Sequence, residues 1–377
     1  MPRRKLAVIG ANEFQEPLIR RAKELGFETH VFAWAAGDVG EAAADVFHPI
    51  SIVEKDAILA VCRKVGVEAC CSIGSDLATL TVNHVQRALG KPCNPPVTDR
   101  IATNKYAMRE ALAAAGVPCP GFRAVDGVPA EADLADLRFP LIVKPTDRSG
   151  SRGIFKVRDY AELCQAVPAA IEPSFEKRAV IEEFLEGEEF SCESVSFAGE
   201  HHFLALTKKH TTGAPHFIET GHDEPADLTP ETRAAIFDHI RRGLDALHIE
   251  YGAAHAEFML TPGGGVRIVE IGARMGGDCI GSDLVYLSTG IDFVGAVIAA
   301  ACGEAPDLRP KRDPAPASIR FIFTEADRDD LDRVLRDAPE TVWRCSRPEG
   351  ELSGTVTDSS TRRGWWITLN TKDNPHG

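Results

Sequence analysis

The segment His255–Gly277 places two short apolar runs on either side of the turn Thr261–Gly265, which is rich in proline and glycine. Apolar runs that flank such a turn predict a β-hairpin. If the turn centres between the first two of its glycines, Glu257 lies directly across from Glu270. This register makes the two glutamates the most informative feature of the chain.

Alternation along the strands puts both carboxylates on one face of the hairpin, together with Met259 and Ile268. Two like charges opposite each other destabilise a strand pair. A divalent cation between Glu257 and Glu270 reverses that effect, and such oxygen ligands suit Mg²⁺ carrying nucleotide phosphates. Arg274 follows shortly after and adds a cation where an anionic group can sit. The alternative is a hairpin whose glutamates simply face water.

Composition excludes several classes of protein. The chain has 377 residues and a net charge of −14, which argues against a nucleic-acid partner or an anionic membrane surface. No apolar run approaches the ~20 residues that cross a bilayer. The ten cysteines are scattered without a Cys-x-x-Cys pair, which favours reduced thiols in a cytoplasm. A homodimer is the default expectation.

The first hundred residues alternate strand and helix, which predicts a parallel sheet with helices on its faces. Strands are predicted at Lys5–Gly10, Glu28–Ala33 and Ala69–Ile73, and helices at Pro17–Leu25, Ile58–Val65 and Leu77–Leu89. The turn after the first strand is not Gly-x-Gly-x-x-Gly, so a dinucleotide site has weak support.

A glycine-rich turn between two further predicted strands can lay backbone N–H groups over phosphates. Lys144 ends the first of these strands and can place an ammonium group against phosphate oxygens. The turn residues in question are Ser149, Gly150, Ser151 and Gly153. The alternative is an ordinary surface hairpin with a solvated lysine.

The acidic run Val180–Phe190 has the groups that an adenosine needs. The backbone of Phe184 and Leu185 offers donors and acceptors for adenine, and Glu182 and Glu189 offer carboxylates. The alternative is an acidic surface strand.

In their order and spacing these motifs resemble the ATP-grasp superfamily, and in particular its carboxylate–amine ligases. The resemblance covers residues 100–280 and includes Lys105 in the run Asn-Lys-Tyr-Ala-Met-Arg. It implies an N-terminal Rossmann-like parallel-sheet domain (1–100), a small ATP-grasp lobe (101–190), a central lobe with the metal and substrate site (191–305) and a small C-terminal β-rich extension (306–377). The fold class is therefore α/β followed by α+β.

The resemblance also implies roles. Lys105 and Lys144 would contact ATP phosphates under the glycine loop, Glu182 the adenine amino group, and Glu189 the ribose. Glu257 and Glu270 would bind Mg²⁺ or Mn²⁺, and Arg274 would stabilise an acyl phosphate or a tetrahedral species. Many members carry asparagine two residues after the second metal glutamate, where this chain has Gly272. The missing amide oxygen puts a second metal ligand in doubt.

The segment from Thr207 to Pro225 resembles the substrate-facing stretch of the amino-acid ligases. Lys209 is expected to reach the γ-phosphate. The residues expected to contact substrate are His216, Glu219 and His222, with Gly276 and Gly277 beyond Arg274. The His-x-x-Glu-x-x-His spacing also invites a zinc site, but Pro215 and Gly221 argue against one continuous helix face. Plain loop histidines are the third possibility.

The implied activity joins a carboxylate to an amine. The carboxylate, by expectation an amino acid, attacks the γ-phosphoryl group of ATP, and the amine then attacks the acyl phosphate, which releases ADP and phosphate. Two alternatives remain open. One is a biotin-carboxylase-like or purine-pathway carboxylase, and the other is an ATP-binding regulatory protein without turnover.

Overall fold

The computed structural model describes residues 3–148, 150, 153–213, 217–352, 354, 356 and 361–369. Its first part is a parallel four-stranded sheet in the order β3-β2-β1-β4. The strands are β1 (Lys5–Ile9), β2 (Glu28–Phe32), β3 (Val46–His48) and β4 (Ala69–Cys71), and the helices are α1 (Glu16–Glu24), α2 (Val39–Ala43), α3 (Lys55–Val65) and α4 (Asp76–Ala88). The predicted parallel sheet is confirmed.

Alternate residues of β1 enter two different cores. Leu6 and Val8 pack in one apolar cluster, and Ala7 and Ile9 pack in another. Both faces of this sheet are therefore covered, which is the usual condition of a parallel sheet and explains why β1 is an unbroken apolar run.

Two helices, α5 (Pro96–Ile101) and α6 (Lys105–Ala114), lead to a small antiparallel sheet in the order β5-β8-β6-β7. This small sheet comprises β5 (Phe122–Val125), β6 (Leu141–Pro145), β7 (Phe155–Val157) and β8 (Ala179–Glu183), with α7 (Tyr160–Ile171) packed against it. The glycine-rich turn lies between β6 and β7, as predicted.

A large antiparallel sheet of eight strands, in the order β13-β12-β9-β10-β11-β14-β16-β15, forms the rest. Its strands are β9 (Glu188–Phe197), β10 (Glu200–Thr211), β11 (Glu219–Glu224), β12 (Gly252–Leu260), β13 (Val266–Gly272), β14 (Ala317–Ile322), β15 (Val342–Ser346) and β16 (Gly364–Leu369), and its helices are α8 (Pro230–Ala246), α9 (Val285–Thr289), α10 (Phe293–Cys302) and α11 (Glu325–Asp337). The C-terminal segment is β-rich, and its strands continue this sheet through β11. The predicted boundary at 306 therefore marks no break in the sheet, and the domain limits stay a prediction.

The hairpin of β12 and β13 pairs Glu257 with Glu270, as predicted. The predicted centre of the turn is wrong, because Leu260 pairs with Val266 and the turn therefore centres on Gly263. The predicted face of Ile268 is wrong. The register shifts next to Glu257, where a β-bulge at Val269 adds one residue to β13. Val269 and Glu270 therefore both face the cleft described below, whereas Ile268 is buried in a core beneath the sheet. Met259 lines the cleft, as predicted.

Across the described ranges, no single helix is long and apolar enough to cross a membrane. The segments Ile280–Thr289 and Phe293–Cys302 pass that test only as a pair, bent by 115°.

Candidate active site

One cleft of about 900 Å³ brings together most of the predicted site residues. Its walls come from the loop after β4, the small sheet with α6, and the large sheet. The predicted residues that line it are Lys105, Lys144, Gly150, Glu182, Phe184, Leu185, Glu189, Lys209, Glu219, His222, Glu257, Glu270, Arg274 and Gly277. Gly153 and Gly276 do not line it, and Ser149, Ser151 and His216 lie outside the described residues.

Each glutamate of the hairpin pair contacts a lysine from another element. Lys105, the first residue of α6, places Nζ 2.8 Å from Glu270 Oε2. Lys209 on β10 places Nζ 2.6 Å from Glu257 Oε1. Burial raises the pKa of Glu257, but Lys209 outweighs it and holds that pKa well below its usual range. Glu257 is therefore an anion that can serve as a metal ligand.

Lys209 is shared by several carboxylates. Its Nζ lies 2.8 Å from Glu189 Oε1 and 3.6 Å from Glu219 Oε1, in addition to Glu257. Burial lowers the pKa of Lys209, but these carboxylates together raise it well above its usual value. Lys209 is thus a buried cation at the cleft. Glu189, predicted to meet a ribose, is held here by Lys209.

Next to Glu257, the buried side chains of His255 and Glu193 connect β12, β9 and the turn at Gly276. His255 Nδ1 hydrogen-bonds Glu193 Oε1, and its Nε2 lies 3.3 Å from Glu257 Oε1. Burial lowers the pKa of His255, but Glu193 reverses this and raises it to about 9. The N–H of Gly276 donates to Glu193 Oε2 at 2.8 Å. Gly276 was expected to contact substrate, but its N–H already donates to Glu193. Because glycine has no Cβ, the backbone at Gly276 can approach the Glu193 carboxylate this closely.

On the small-lobe side, Glu182 joins two cations. Lys144 Nζ lies 2.8 Å from Glu182 Oε2, and Arg109 Nε lies 2.8 Å from Glu182 Oε1. Burial raises the pKa of Glu182, but Arg109 and Lys144 outweigh it and lower the pKa to about 2. Arg109 also donates to the carbonyl of Val269 at 2.6 Å, at the bulge. The predicted contact of Glu182 with adenine stays a prediction, and Arg109 was not predicted at all.

Arg274 meets a carboxylate that the sequence reasoning did not single out. Its Nε donates to Asp76 Oδ1 at 2.8 Å, and Asp76 is the first residue of α4. The loop before α4 contributes Gly74 and Ser75 to the same wall of the cleft. This loop follows β4, so the carboxyl end of the N-terminal parallel sheet faces the site, which is where ligands bind in open sheets of this type.

The predicted adenine hinge lies at the end of β8. The N–H of Phe184 already donates to the carbonyl of Pro140 at 3.1 Å, so it is committed to the protein. Lys156 Nζ sits 3.4 Å from the centre of the Phe184 ring, and the Phe217 ring lies 5.9 Å away. Leu185 lines the cleft beside them. An aromatic and aliphatic surface of this kind suits a flat base.

Glu219, one of the residues expected to contact substrate, forms an ion pair with Arg362 from the C-terminal segment. Arg362 donates to Glu219 Oε2 and to Asp278 Oδ1, each at 2.6 Å. His222 Nε2 lies 3.6 Å from Asp278 Oδ2, and burial lowers the pKa of His222. Within the described ranges, no cluster of three or more His, Cys, Asp or Glu side chains could hold a metal ion. His216 of the zinc spacing lies outside those ranges, so the zinc interpretation is not tested here.

The groups in the cleft fit a nucleotide phosphate with a divalent cation. Two glutamate oxygens suit Mg²⁺ or Mn²⁺, which keeps waters and phosphate oxygens as its other ligands. The cations that could face phosphate are Lys105, Lys144, Lys209 and Arg274. Gly150 also lines the cleft, and its backbone has a φ of 71°, a conformation that residues with side chains rarely adopt.

Comparison with known proteins identifies the domain. Residues 137–283 match the family model described as an ATP-grasp domain. The chain carries an ATP-grasp domain. The predicted resemblance is thereby confirmed, and the match spans the Lys144, Glu257 and Glu270 motifs.

The relatives of this chain include two proteins that are named as synthases. It is 26% identical to human carnosine synthase 1 over 345 residues, covering 82% of this chain and 41% of that protein. It is 30% identical to dapdiamide A synthase of Enterobacter agglomerans over 189 residues, covering 46% of this chain and 42% of that protein. The chain thus spans less than half the length of these two curated relatives.

A solved structure matches nearly the whole chain. The crystal structure of L-amino acid ligase from Bacillus licheniformis superposes with a TM-score of 0.82 and 25% identity, covering 99% of this chain and 95% of that one. One protein of that name therefore already has this combination of N-terminal sheet, two lobes and C-terminal strands.

Proposed function

We propose that the chain is an ATP-dependent ligase that activates a carboxylate as its acyl phosphate and joins it to an amine, with release of ADP and phosphate. The observation that carries this is the opposed pair Glu257 and Glu270, each bound to a lysine, in one cleft with Lys144 and Arg274. Binding alone does not need all of these groups, but transfer of a phosphoryl group does.

The lysines neutralise charge where the phosphoryl group is transferred. Lys105 reaches the cleft from α6, Lys144 reaches it from β6, and Lys209 reaches it from β10 of the large sheet. Bound at Glu257 and Glu270, Mg²⁺ would add positive charge against the same phosphates. Because these lysines are buried at the cleft, little water must rearrange around them when charge spreads over the phosphoryl oxygens.

Arg274 is the group we assign to the substrate side. It lies just past Glu270 and before Gly277, which lines the cleft. Its guanidinium can hold the oxygens of the carboxylate as an oxyanion forms, since arginine binds such oxygens through paired N–H groups. Glu219 and His222 line the same cleft beside Asp278 and Arg362, and we assign the organic substrate to this group of residues.

A phosphate-release screen tests the proposal. The chain is incubated with ATP, Mg²⁺ and pairs of amino acids or small acids and amines. We expect phosphate release that depends on both members of one pair, because hydrolysis without an acceptor would waste ATP. Release that never depends on an organic acid, over a panel that covers the common amino acids, would contradict the proposal.

A further inference from the structure

Gly272 lies between Glu270 and Arg274, and a carboxylate from a distant part of the chain takes the space beside it. A Cβ at position 272 would lie 3.0 Å from Asp76 Oδ1 and 3.2 Å from Arg274 Nε. Both separations are tighter than ordinary van der Waals contact. A side chain at this buried position would therefore press on the Asp76–Arg274 ion pair, and glycine leaves room for it.

Asp76 is itself held firmly. Ser75 caps α4 by accepting a hydrogen bond from the N–H of Ala78 at 3.3 Å, and Thr79 Oγ1 donates to the carbonyl of Asp76 at 2.6 Å. As the first residue of the helix, Asp76 also gains from the helix dipole. Burial raises the pKa of Asp76, but Arg274, together with Lys105 and His255, lowers that pKa below its usual value. The carboxylate is therefore a fixed anion.

The guanidinium of Arg274 is oriented from two sides. Nε donates to Asp76 Oδ1 at 2.8 Å, and Nη2 lies 3.4 Å from Asp76 Oδ2. Nη1 donates to the carbonyl of Met275 at 3.1 Å. These contacts fix the plane of the guanidinium and leave its remaining N–H groups for a ligand, since arginine carries five N–H donors.

We propose that Asp76 is a positioning residue that aims Arg274 into the cleft, and that the glycine at position 272 is needed because it leaves space for this contact. The inference rests on the proposed function, in which Arg274 acts on the substrate carboxylate. It means that the N-terminal domain contributes one side chain, that of Asp76 at the carboxyl end of its sheet, to the active site. It also gives a reason for Gly272, where the related motif carries asparagine.

Steady-state kinetics of Asp76→Ala, Asp76→Asn and Gly272→Ala test this assignment. We expect kcat/KM for the carboxylate substrate to fall about 10- to 100-fold in Asp76→Ala, because small misplacements of a catalytic group are costly. KM for ATP should stay within about twofold, since Lys105 and Lys144 are untouched. Asp76→Asn keeps an acceptor for Arg274 Nε and should retain more activity than Asp76→Ala.

Gly272→Ala should reproduce the Asp76→Ala defect, and the double variant should lose little more than either single variant, because both changes disturb one contact. The control is Asp56→Asn, which removes an exposed carboxylate of the same domain, paired only with His84 among the ion pairs of the described chain. Thermal unfolding of each variant checks that the fold is retained.

Three results would overturn the assignment. They are an Asp76→Ala variant with unchanged kcat/KM for the carboxylate, an equal loss for ATP and carboxylate, and losses that multiply in the double variant. A wild-type chain with no turnover for any acid and amine would instead remove the proposed function, and this assignment with it.

Discussion

Lys105 Nζ lies 2.8 Å from Glu270 Oε2, so a cation that would meet phosphate is bound to a carboxylate that would meet metal. Lys209 and Glu257 repeat this relationship at 2.6 Å. In these two pairs, each ammonium group neutralises a carboxylate. We expect the lysines to exchange carboxylate for phosphate, and the glutamates to exchange ammonium for Mg²⁺, when nucleotide and metal bind together.

This exchange predicts that Mg²⁺ and ATP bind cooperatively. Either ligand alone must separate Lys105 from Glu270 and leave one of them without its partner, which is costly. Titration calorimetry with Mg²⁺ alone, with ATP in the presence of chelator, and with both should show at least about tenfold tighter binding of the pair, a coupling within the usual range. Equal affinity for ATP with and without Mg²⁺ would contradict this account.

Glu270→Gln should abolish ATP turnover and weaken Mn²⁺ binding without unfolding the chain. The change is isosteric but removes the negative charge that both Lys105 and a metal require. Turnover, Mn²⁺ binding by electron paramagnetic resonance and thermal unfolding measure the three effects. Glu200→Gln on β10 is the control, because that side chain is 77% exposed and lies outside the cleft. Near-normal turnover of Glu270→Gln would remove the metal assignment.

Arg109→Met should destabilise the fold by about 3–5 kcal/mol, because it strips one partner from a buried ion pair. It removes a cation from Glu182 and a donor from the carbonyl of Val269, and Arg109 is only 1% exposed. Urea unfolding measures the loss. Arg20→Met on α1 is the matched control, since its ion pair is exposed and should contribute less than about 1 kcal/mol. Similar losses in the two variants would show that the Glu182 network adds little.

Glu224 should make the fold less stable as pH rises. Burial raises the pKa of this carboxyl to about 7, even though Thr207 and Ser288 donate hydrogen bonds to it. Between its ordinary pKa of 4.5 and this value, the folded chain holds a proton that the unfolded chain has lost. Stability from this group is therefore full below pH 4.5, declines as pH rises to about 7, and stays low above it.

The Glu224→Gln variant has no ionisable group at this position, so it should not lose this stability as pH rises from 4.5 to about 7. The melting temperature of the variant should exceed that of the wild type by more at pH 8 than at pH 5. The same difference at both pH values would mean that Glu224 is not buried with a raised pKa.

Protection by nucleotides tests the hinge at Phe184 and Leu185. ATP with Mg²⁺ should raise the melting temperature more than GTP at the same concentration, because the stabilisation follows RT ln(1 + [L]/Kd) and the hinge is expected to favour adenine. Equal protection by both nucleotides would count against an adenine site at the end of β8.

Local patterns in the sequence predicted much of the fold and of the site. Strand–helix alternation predicted the N-terminal sheet, and the glycine turn predicted the hairpin. The opposition of Glu257 and Glu270 within that hairpin depends on the β-bulge and not on the predicted turn centre. The β-bulge at Val269 has no local pattern in the sequence, and the carbonyl of Val269 accepts a hydrogen bond from Arg109, which is 160 residues away. Ile268 faces away from the cleft because the turn centres on Gly263, which pairs Ile268 with Phe258.

The missed residues lie far apart in sequence from their partners. Asp76 is 198 residues from Arg274, and Glu193 is 62 residues from His255. Such pairings depend on how the sheets pack and leave no local pattern. Arg109 did carry a signal, since it follows Lys105 by four residues and so shares its helix face.

The measurement that tests the central claim most directly is trapping of the activated acid. The chain is incubated with ATP, Mg²⁺, a substrate acid and hydroxylamine, which replaces the natural amine as a small, strong nucleophile. We predict ADP, inorganic phosphate and the hydroxamate of an amino acid, because attack falls on the γ-phosphoryl group. ADP release that needs bicarbonate and gives no hydroxamate would indicate a carboxylase, and ATP binding without any product would indicate a regulator. AMP and pyrophosphate would contradict the account outright, since they require attack at the α-phosphoryl group.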